Sequence, residues 1–249
     1  MPTFRHGKGI AVFVDQYAFS GYFKDIAYTN QVGVAETSNF LSTAKEFVVG
    51  LKSGNVTLTG MFEGTALVGT DQYFATVLGG SAKQKVIIAL ETKAARGSRA
   101  VMVNADTASY AVQAPVANIV SAVATLESSA GGVEHGVILS DTPVVTTTSV
   151  LTGVDDRGLV GTPSTNGGVG FLSVPVNTLN GTVVVKVQHS TDNSTFVDLI
   201  TFTTVVATTT TSERIEVASG TTVNRYLRVS YAVAGTTGSA TPVVAFSRR

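Results

Sequence analysis

The fold class is decided by residues 182–189, which read Thr-Val-Val-Val-Lys-Val-Gln-His. Valine recurs at every second position from Val183 to Val187, and in the second half it alternates with Lys186 and Gln188. Successive side chains of a strand point to opposite faces of a sheet. This period of two therefore predicts a β-strand with one buried face.

The same pattern continues through the C-terminal part of the chain, where short apolar stretches are separated by turn-forming residues such as Asn180-Gly181. No helix signal is found after residue 143. The strands predicted in this part are 170–176, 182–189, 196–204, 212–218, 225–234 and 242–248. Short antiparallel strands at such spacing predict a β-sandwich over 143–249, and we place a domain boundary near residue 142.

The composition supports a mainly β chain. The 249 residues include 39 Val and 35 Thr, and β-branched side chains favour strands over helices. Charged residues make up 14%, against about 25% in an average soluble protein, and the formal net charge is zero. A weakly charged surface predicts that the protein assembles with other protein subunits. A net charge of zero gives the chain no general electrostatic attraction to nucleic acid or to an anionic membrane.

The first 142 residues read as strands with a single helix. Thr70 is the predicted helix N-cap, and Gly79-Gly80 is the predicted stop. Two turn-rich stretches, 52–55 and 128–132, are predicted to connect neighbouring strands. The strands predicted here are 10–14, 17–26, 47–51, 56–61, 85–91, 98–104, 119–126 and 133–139.

A polar stretch beginning at residue 27 and ending near residue 46 breaks this strand pattern. Between residues 27 and 42 it has almost no bulky residues suited to a core. So long a segment with so weak a pattern is expected to be disordered or held by a partner.

Residues with catalytic or metal-binding potential are sparse. His6, His135 and His189 stand isolated, without the paired spacing of metal ligands, and the chain has no cysteine to act as a thiol nucleophile or thiolate ligand. No nucleophile-elbow motif is present. We therefore expect no catalytic, cofactor-binding or metal-binding residues, no cofactor and no enzymatic activity. No apolar run approaches the about 18 residues of a membrane-spanning helix, so no membrane insertion is expected.

Several stretches resemble the major tail proteins, or tail tube proteins, of siphovirus-type bacteriophages. They are Phe4-Arg5-His6-Gly7-Lys8, Phe19-Ser20-Gly21-Tyr22-Phe23, Glu36-Thr37, the run 45–54, the run 57–64 and the run 132–139. The C-terminal part is similar to the domain often appended to such proteins, through the runs 185–196 and 224–229. The resemblance implies an all-β chain, in which a tail-tube β-sandwich or barrel with one flanking α-helix (1–142) precedes a second antiparallel β-sandwich (143–249) on the tube exterior.

The resemblance also implies a function. Hexameric rings would stack into a tail tube that houses the tape-measure protein and conducts phage DNA, with the tail terminator and distal tail proteins at its ends. The protein would be a structural part of the virion, assembled in the cytoplasm of the bacterial host. The polar stretch would be the loop that reaches a neighbouring ring, so the implied contact residues are Thr29, Asn30, Gln31, Glu36, Thr37, Asn39 and Phe40.

Tail tube lumens tend to be acidic, whereas this chain is neutral, so its acidic residues would have to be segregated to one face. Two other classes remain open from the residues themselves. One is a phage capsid or decoration protein, which forms trimers or lattice copies instead of stacked rings. The other is a carbohydrate-binding adhesion sandwich, which would need exposed aromatic side chains.

Overall fold

The computed structural model describes residues 7–65, 69–91, 94–141, 143–151, 154–155 and 163–249. Within them the chain forms a 3-10 turn at Gly7–Gly9, one α-helix, α1, at Thr70–Val77, and fifteen strands. The mainly β fold is therefore confirmed. The strands are β1 Ala11–Val14, β2 Tyr17–Ala18, β3 Phe23–Glu36, β4 Phe47–Met61, β5 Gln84–Ala89, β6 Arg99–Gln113, β7 Ser121–Asp141, β8 Ser149–Val150, β9 Val154–Asp155, β10 Gly168–Val174, β11 Thr182–Ser190, β12 Val197–Thr201, β13 Thr211–Val217, β14 Tyr226–Ala234 and β15 Val243–Arg248.

The chain divides into two compact units. Unit 1 contains Met1–Gly21, Lys85–Met102 and Glu134–Arg249. One of its sheets has the strand order β13-β10-β15-β7-β6-β5-β1-β2, and the other has the order β12-β11-β14-β8, with β9 also paired to β14. The pairs β1–β2, β1–β5, β10–β13, β10–β15, β11–β12, β11–β14, β8–β14, β9–β14 and β7–β15 are all antiparallel.

The two sheets of unit 1 enclose an apolar core. Leu172 and Phe246 come from one sheet, and Val185 and Tyr231 come from the other. In β11 the odd-numbered residues 183, 185 and 187 are buried, while the even-numbered residues between them are half-buried. The period of two in the sequence is thus the period of burial in β11. The prediction of an all-β fold with two groups of antiparallel strands is confirmed, and one of these groups also contains strands that precede residue 143.

Residues before position 142 contribute to this unit as well. Strand β15 pairs with β7, with Phe246 opposite Val137. A second apolar cluster contains Phe13, Ile138 and Phe171, which come from both sides of residue 142. The boundary at residue 142, and with it the independent folding of residues 143–249, therefore stays a prediction.

Unit 2 contains Tyr22–Gln84 and Val103–Val133. Its sheet includes β3 paired with β4, and β4 paired with β7, both antiparallel. Residues Val56 and Leu58 of β4 are buried, while Asn55, Thr57 and Thr59 between and beside them are half-buried. One face of this sheet is therefore a core face and the other is polar.

The predicted turn at 52–55 is wrong, because β4 runs uninterrupted through it. Gly54 lies opposite Asn30 in the sheet. A Cβ atom at Gly54 would lie 2.4 Å from the carbonyl oxygen of Thr29 and 2.7 Å from Val133 Cγ2. The glycine thus allows Thr29 and Val133 to lie close to β4 within the sheet. A glycine can mark such a close approach inside a strand as well as a turn between strands.

The predicted loop at 128–132 is also wrong, because β7 continues through it to Asp141. Ala130, Gly131 and Gly132 have φ angles of 57°, 111° and 73°. Two of these three positions are glycine, the residue that adopts positive φ without steric cost. The glycines mark a local irregularity inside one long strand.

Helix α1 begins at Thr70, the residue predicted as its cap, so the true N-cap lies one residue earlier than predicted. Gly69 is the N-cap, and Thr70 is buried in the first turn. Within the part of the chain that the structure describes, the Thr70 hydroxyl has no hydrogen-bond partner. The helix ends before Gly79, whose φ of 74° confirms it as part of the stop.

Candidate self-assembly surfaces

Strands β3 and β4 extend beyond the rest of their sheet. Strand β7 pairs with β4 over Asn55–Met61. From Gly54 back to Phe47, the partner of β4 among the described strands is β3 alone. We call residues 30–36 and 47–54 the ribbon, and residues 37–46 connect its two strands. At about 3.3 Å per residue, seven residues of β3 give the ribbon a length of about 23 Å.

The ribbon carries large apolar side chains that the rest of the described chain leaves exposed. Val49 is 72% exposed and Leu51 is 89% exposed, while Phe40 at the tip is fully exposed. The other exposed apolar side chains of the ribbon and its tip are Val32, Val34, Leu41, Phe47 and Val48. A contiguous exposed apolar surface of this kind marks an interaction site.

Both faces of the ribbon are apolar. Val34 lies opposite Val49, and the next residue pair is Ala35 opposite Val48. Because successive residues of a strand point to opposite faces, the two pairs present apolar side chains on the two faces. An isolated two-stranded ribbon is only marginally stable in water, so a partner surface is expected to cover it.

The ribbon contains three of the predicted contact residues, Asn30, Gln31 and Glu36, as strand and not as loop. Thr29 directly precedes the ribbon on β3, and the other three, Thr37, Asn39 and Phe40, lie in its connection. Thr29, Asn30, Gln31 and Glu36 lie on β3, so the expectation of an irregular segment from residue 27 is wrong up to residue 36. The physical reason is the backbone pairing with β4, which their polar side chains do not reveal.

Three of these residues contact neighbouring strands of their own unit. Asn30 donates a hydrogen bond from Nδ2 to the Val133 carbonyl at 3.2 Å, and Thr29 donates one to Asn55 Oδ1 at 3.1 Å. Gln31 lies opposite Ser53.

At the end of the ribbon, Glu36 forms an exposed salt bridge with Lys45 at 3.3 Å. The Thr37 amide donates to the Glu46 carbonyl at 2.8 Å, and Asn39 Oδ1 accepts the Leu41 amide at 2.9 Å. These hydrogen bonds give the residues after Glu36 a defined turn structure, which presents Phe40 at the tip.

The sequence does not predict the apolar residues at 47–51 as contact residues, because an apolar strand normally indicates part of a core. Phe47 is 54% exposed and Val48 is 57% exposed. The signal that could have found them is the run Phe47-Val48-Val49, which lacks the alternation of a strand with one buried face.

The polar face of the unit 2 sheet is built from three rows of directly opposed residues. Asp25, Thr59 and Val123 form one row, Ala27, Thr57 and Thr125 the next, and Thr29, Asn55 and Glu127 the third. We call these nine residues the open face. Its two charged side chains, Asp25 and Glu127, are both acidic and exposed. The open face is therefore hydroxyl-rich and negative.

The opposite face of the same sheet is closed by α1. The buried Phe74 ring lies 6.2 Å from the Phe23 ring and stacks at 5.8 Å on Tyr110. The Tyr110 hydroxyl donates to Asp71 Oδ1 at 3.0 Å. Burial, and after it this hydrogen bond, raises the pKa of Tyr110, so the phenol stays protonated as a donor. The helix thus fixes which face of the sheet remains open.

A second exposed apolar surface lies where β4 ends and β7 begins. Met61 is 46% exposed and Ile119 is 66% exposed, and Phe62 and Val116 are exposed as well. The Phe62 amide donates to the Val120 carbonyl at 3.0 Å, which holds the segments carrying these side chains together. We call Met61, Phe62, Val116 and Ile119 the end patch.

The two histidines that the structure describes, His135 and His189, lie in different surroundings. His135 is exposed, His189 is buried, and His6 lies outside the described residues. His189 Nδ1 accepts the Asn224 amide at 3.1 Å, and Arg248 donates to the Val223 carbonyl from Nη1 at 2.5 Å. Burial, and after it the charge of Arg248, lowers the pKa of His189. In the described part of the chain, no three His, Asp or Glu side chains are grouped as metal ligands.

Comparison with known proteins gives structural likenesses only. No protein-family model matches the chain, and no curated protein matches it. A chain of the virion of a native gene transfer agent particle is 12% identical, with a TM-score of 0.43, covering 53% of this chain and 98% of that chain.

Two other solved structures belong to phage SPP1. The SPP1 tail tube structure is 11% identical with a TM-score of 0.40, covering 49% of this chain and 74% of that chain. The SPP1 Dit protein, described as a hub adsorption apparatus, is 12% identical with a TM-score of 0.35, covering 96% of this chain and 98% of that chain. Among the described helical residues, none form a helix with the length and apolarity needed to span a bilayer.

Proposed function

We propose that this protein is a structural subunit that assembles with copies of itself into the tail tube of a bacteriophage-like particle. The observation that carries the proposal is the ribbon. Its apolar side chains are exposed on both faces, and Val49 and Leu51 are more than two-thirds exposed. Burying such side chains stabilises a contact by about 25 cal/mol per Å², so copies of the chain gain free energy by covering one another's ribbons.

The open face is the surface that we assign to the lumen of the tube. It contains Asp25 and Glu127 and no lysine or arginine. A negative, hydroxyl-lined wall repels phosphates and offers DNA no ion pair, so DNA can pass without binding. This assignment gives the lumen two of the chain's 17 acidic residues and none of its lysines or arginines.

The assembly is proposed to be a ring of six copies, with rings stacked into a tube. The tube would contain the tape-measure protein and then DNA, and it would meet terminator and distal tail proteins at its ends. Residues 143–249 would form the appended β-sandwich domain on the exterior. The whole would be part of the virion, with assembly in the bacterial cytoplasm.

Electron microscopy of the concentrated protein tests this proposal. We expect rings or tubes from the unmodified chain, and single subunits from Val49→Glu, because a charge on the ribbon prevents its burial. Val206→Glu is the matched control, since Val206 is 52% exposed in unit 1, outside the ribbon. It is expected to assemble like the unmodified chain. Closed shells or trimers would instead support a capsid or decoration protein, and a monomer at every concentration would contradict the proposal.

A further inference from the structure

The ribbon and the end patch occupy opposite ends of one strand. Val49 lies in the ribbon and Met61 lies in the end patch, twelve residues further along β4. At about 3.3 Å per residue the two positions are about 40 Å apart, and the paired strand between them is extended. The ribbon of one copy therefore cannot cover the end patch of the same copy.

We infer that the ribbon of one copy docks on the end patch of a second copy, head to tail. This inference rests on the proposed self-assembly. It names the surface that receives the ribbon, and the occupant of that surface is another copy of this chain.

The chemistry of the two surfaces matches. The end patch lies on Met61, Phe62 and the segment 114–120, which contains no charged residue. The ribbon and its connection contain two acids and two lysines, and one pair of these, Glu36 and Lys45, is already joined in a salt bridge at 3.3 Å. Both surfaces are apolar and neither carries a net charge, so no net electrostatic repulsion opposes their contact.

The geometry favours head-to-tail contact over a symmetric one. A ribbon-to-ribbon contact would be isologous, so it would close at two copies and leave both end patches exposed. A ribbon-to-patch contact is heterologous, and it leaves a free ribbon at one end of the pair and a free patch at the other. It can thus repeat along the direction of β4 and cover both surfaces of every interior copy.

Cysteine cross-linking tests the inference cleanly, because the chain contains no cysteine of its own. Val49→Cys and Ile119→Cys place one thiol on the ribbon and one on the end patch. Both positions are more than half exposed in the single chain, so the substitutions leave the core intact. A short bis-maleimide linker is added to concentrated protein, and the products are separated under denaturing conditions.

The chain with both cysteines is expected to give a ladder of covalent multimers. An equal mixture of the two single variants is expected to give dimers and nothing larger, and each single variant alone is expected to stay monomeric. The matched control combines Val49→Cys with Val206→Cys and is expected to give no ladder.

Four results would overturn the inference. Dimers from Val49→Cys alone would indicate a ribbon-to-ribbon contact, and a ladder from the Val206 control would place the receiving surface in unit 1. Rings or tubes in the microscope without a ladder from the Val49 and Ile119 pair would reject the end patch while leaving the proposed function standing. Absence of both assemblies and ladder would reject the inference and the proposed function together.

Discussion

The Asp15 carboxylate accepts a hydrogen bond from the Ser212 hydroxyl at 3.0 Å, although 197 positions of sequence separate the two residues. The same Oδ1 atom accepts the Lys85 amide at 2.9 Å. The Asp15 carbonyl accepts the Ser173 hydroxyl at 2.6 Å. Asp15 thus joins the β1–β2 turn to three other strands of unit 1.

Replacing Asp15 tests how much this junction contributes. Asp15→Ala removes the acceptor and leaves two donors without it, and alanine is also less suited than aspartate to the φ of 49° at this position. We expect the free energy of unfolding to fall by about 2–4 kcal/mol. Chemical denaturation measures the change.

Ser212→Ala is the matched control, because it removes one donor and keeps the other contacts of Asp15. The expected loss is about 1 kcal/mol. Equal effects of the two substitutions would contradict a central role for Asp15.

Gly54→Ala tests the corrected assignment of residues 52–55. The new Cβ would lie 2.4 Å from the Thr29 carbonyl oxygen, so the strand pair has to shift. We expect a loss of about 1–3 kcal/mol in thermal or chemical unfolding. Gly21→Ala, where a Cβ meets nothing within 4 Å, is expected to be neutral. A neutral Gly54→Ala would indicate an open turn after all.

His189 is expected to make stability depend on pH. Because burial and Arg248 lower its pKa in the folded chain, the unfolded chain binds the proton more readily. The stability that neutral His189 contributes is complete above about pH 6.5, the ordinary histidine pKa, and is lost as the pH falls below it.

Thermal melts at pH 7 and pH 5 measure this dependence. His189→Asn keeps an acceptor for the Asn224 amide and is expected to reduce the difference between the two melts. His135→Asn changes an exposed histidine and is expected to leave the difference as it is. A difference that survives in His189→Asn would assign the effect to another group.

Cutting the chain at residue 142 tests the predicted boundary. Chains 1–142 and 143–249 each lose part of the cluster that contains Phe13, Ile138 and Phe171. We expect neither chain alone to unfold cooperatively, and the mixed chains to regain a transition. A cooperative melt of chain 143–249 alone would instead establish the predicted independent domain.

Reversing the charge of the open face tests the lumen assignment. Asp25→Lys with Glu127→Lys replaces two exposed acids by bases. We expect assembled tubes to form as before and to gain salt-sensitive binding of DNA, because each lysine can neutralise a phosphate. Lys24→Glu with Arg225→Glu changes charges outside the open face and is expected to leave DNA binding absent. Unchanged behaviour of the lysine variant would place the open face away from DNA.

The sequence predicts the six C-terminal strands with errors of a few residues, because burial in strands such as β11 follows the valine period. It does not predict β4 or β7 as single strands, since Gly54 and Gly131-Gly132 look the same in a tight turn and in a strand under close approach. The apolar side chains of the ribbon could not be separated from core residues either. A valine that packs inside a subunit and one that packs between subunits have the same chemistry, and only the fold distinguishes Val56 from Val49.

The backbone pairing of the ribbon has a further consequence for how tightly subunits would associate. Since β3 and β4 are already hydrogen-bonded within one chain, their backbone entropy is lost during folding and not during docking. Only side chains such as Leu51 and Phe40 remain to be immobilised, at about 0.5–1.5 kcal/mol each. A preorganised contact of this kind loses less free energy on binding than a segment that has to fold first, so the ribbon would bind more tightly than an unpaired segment that buries the same area.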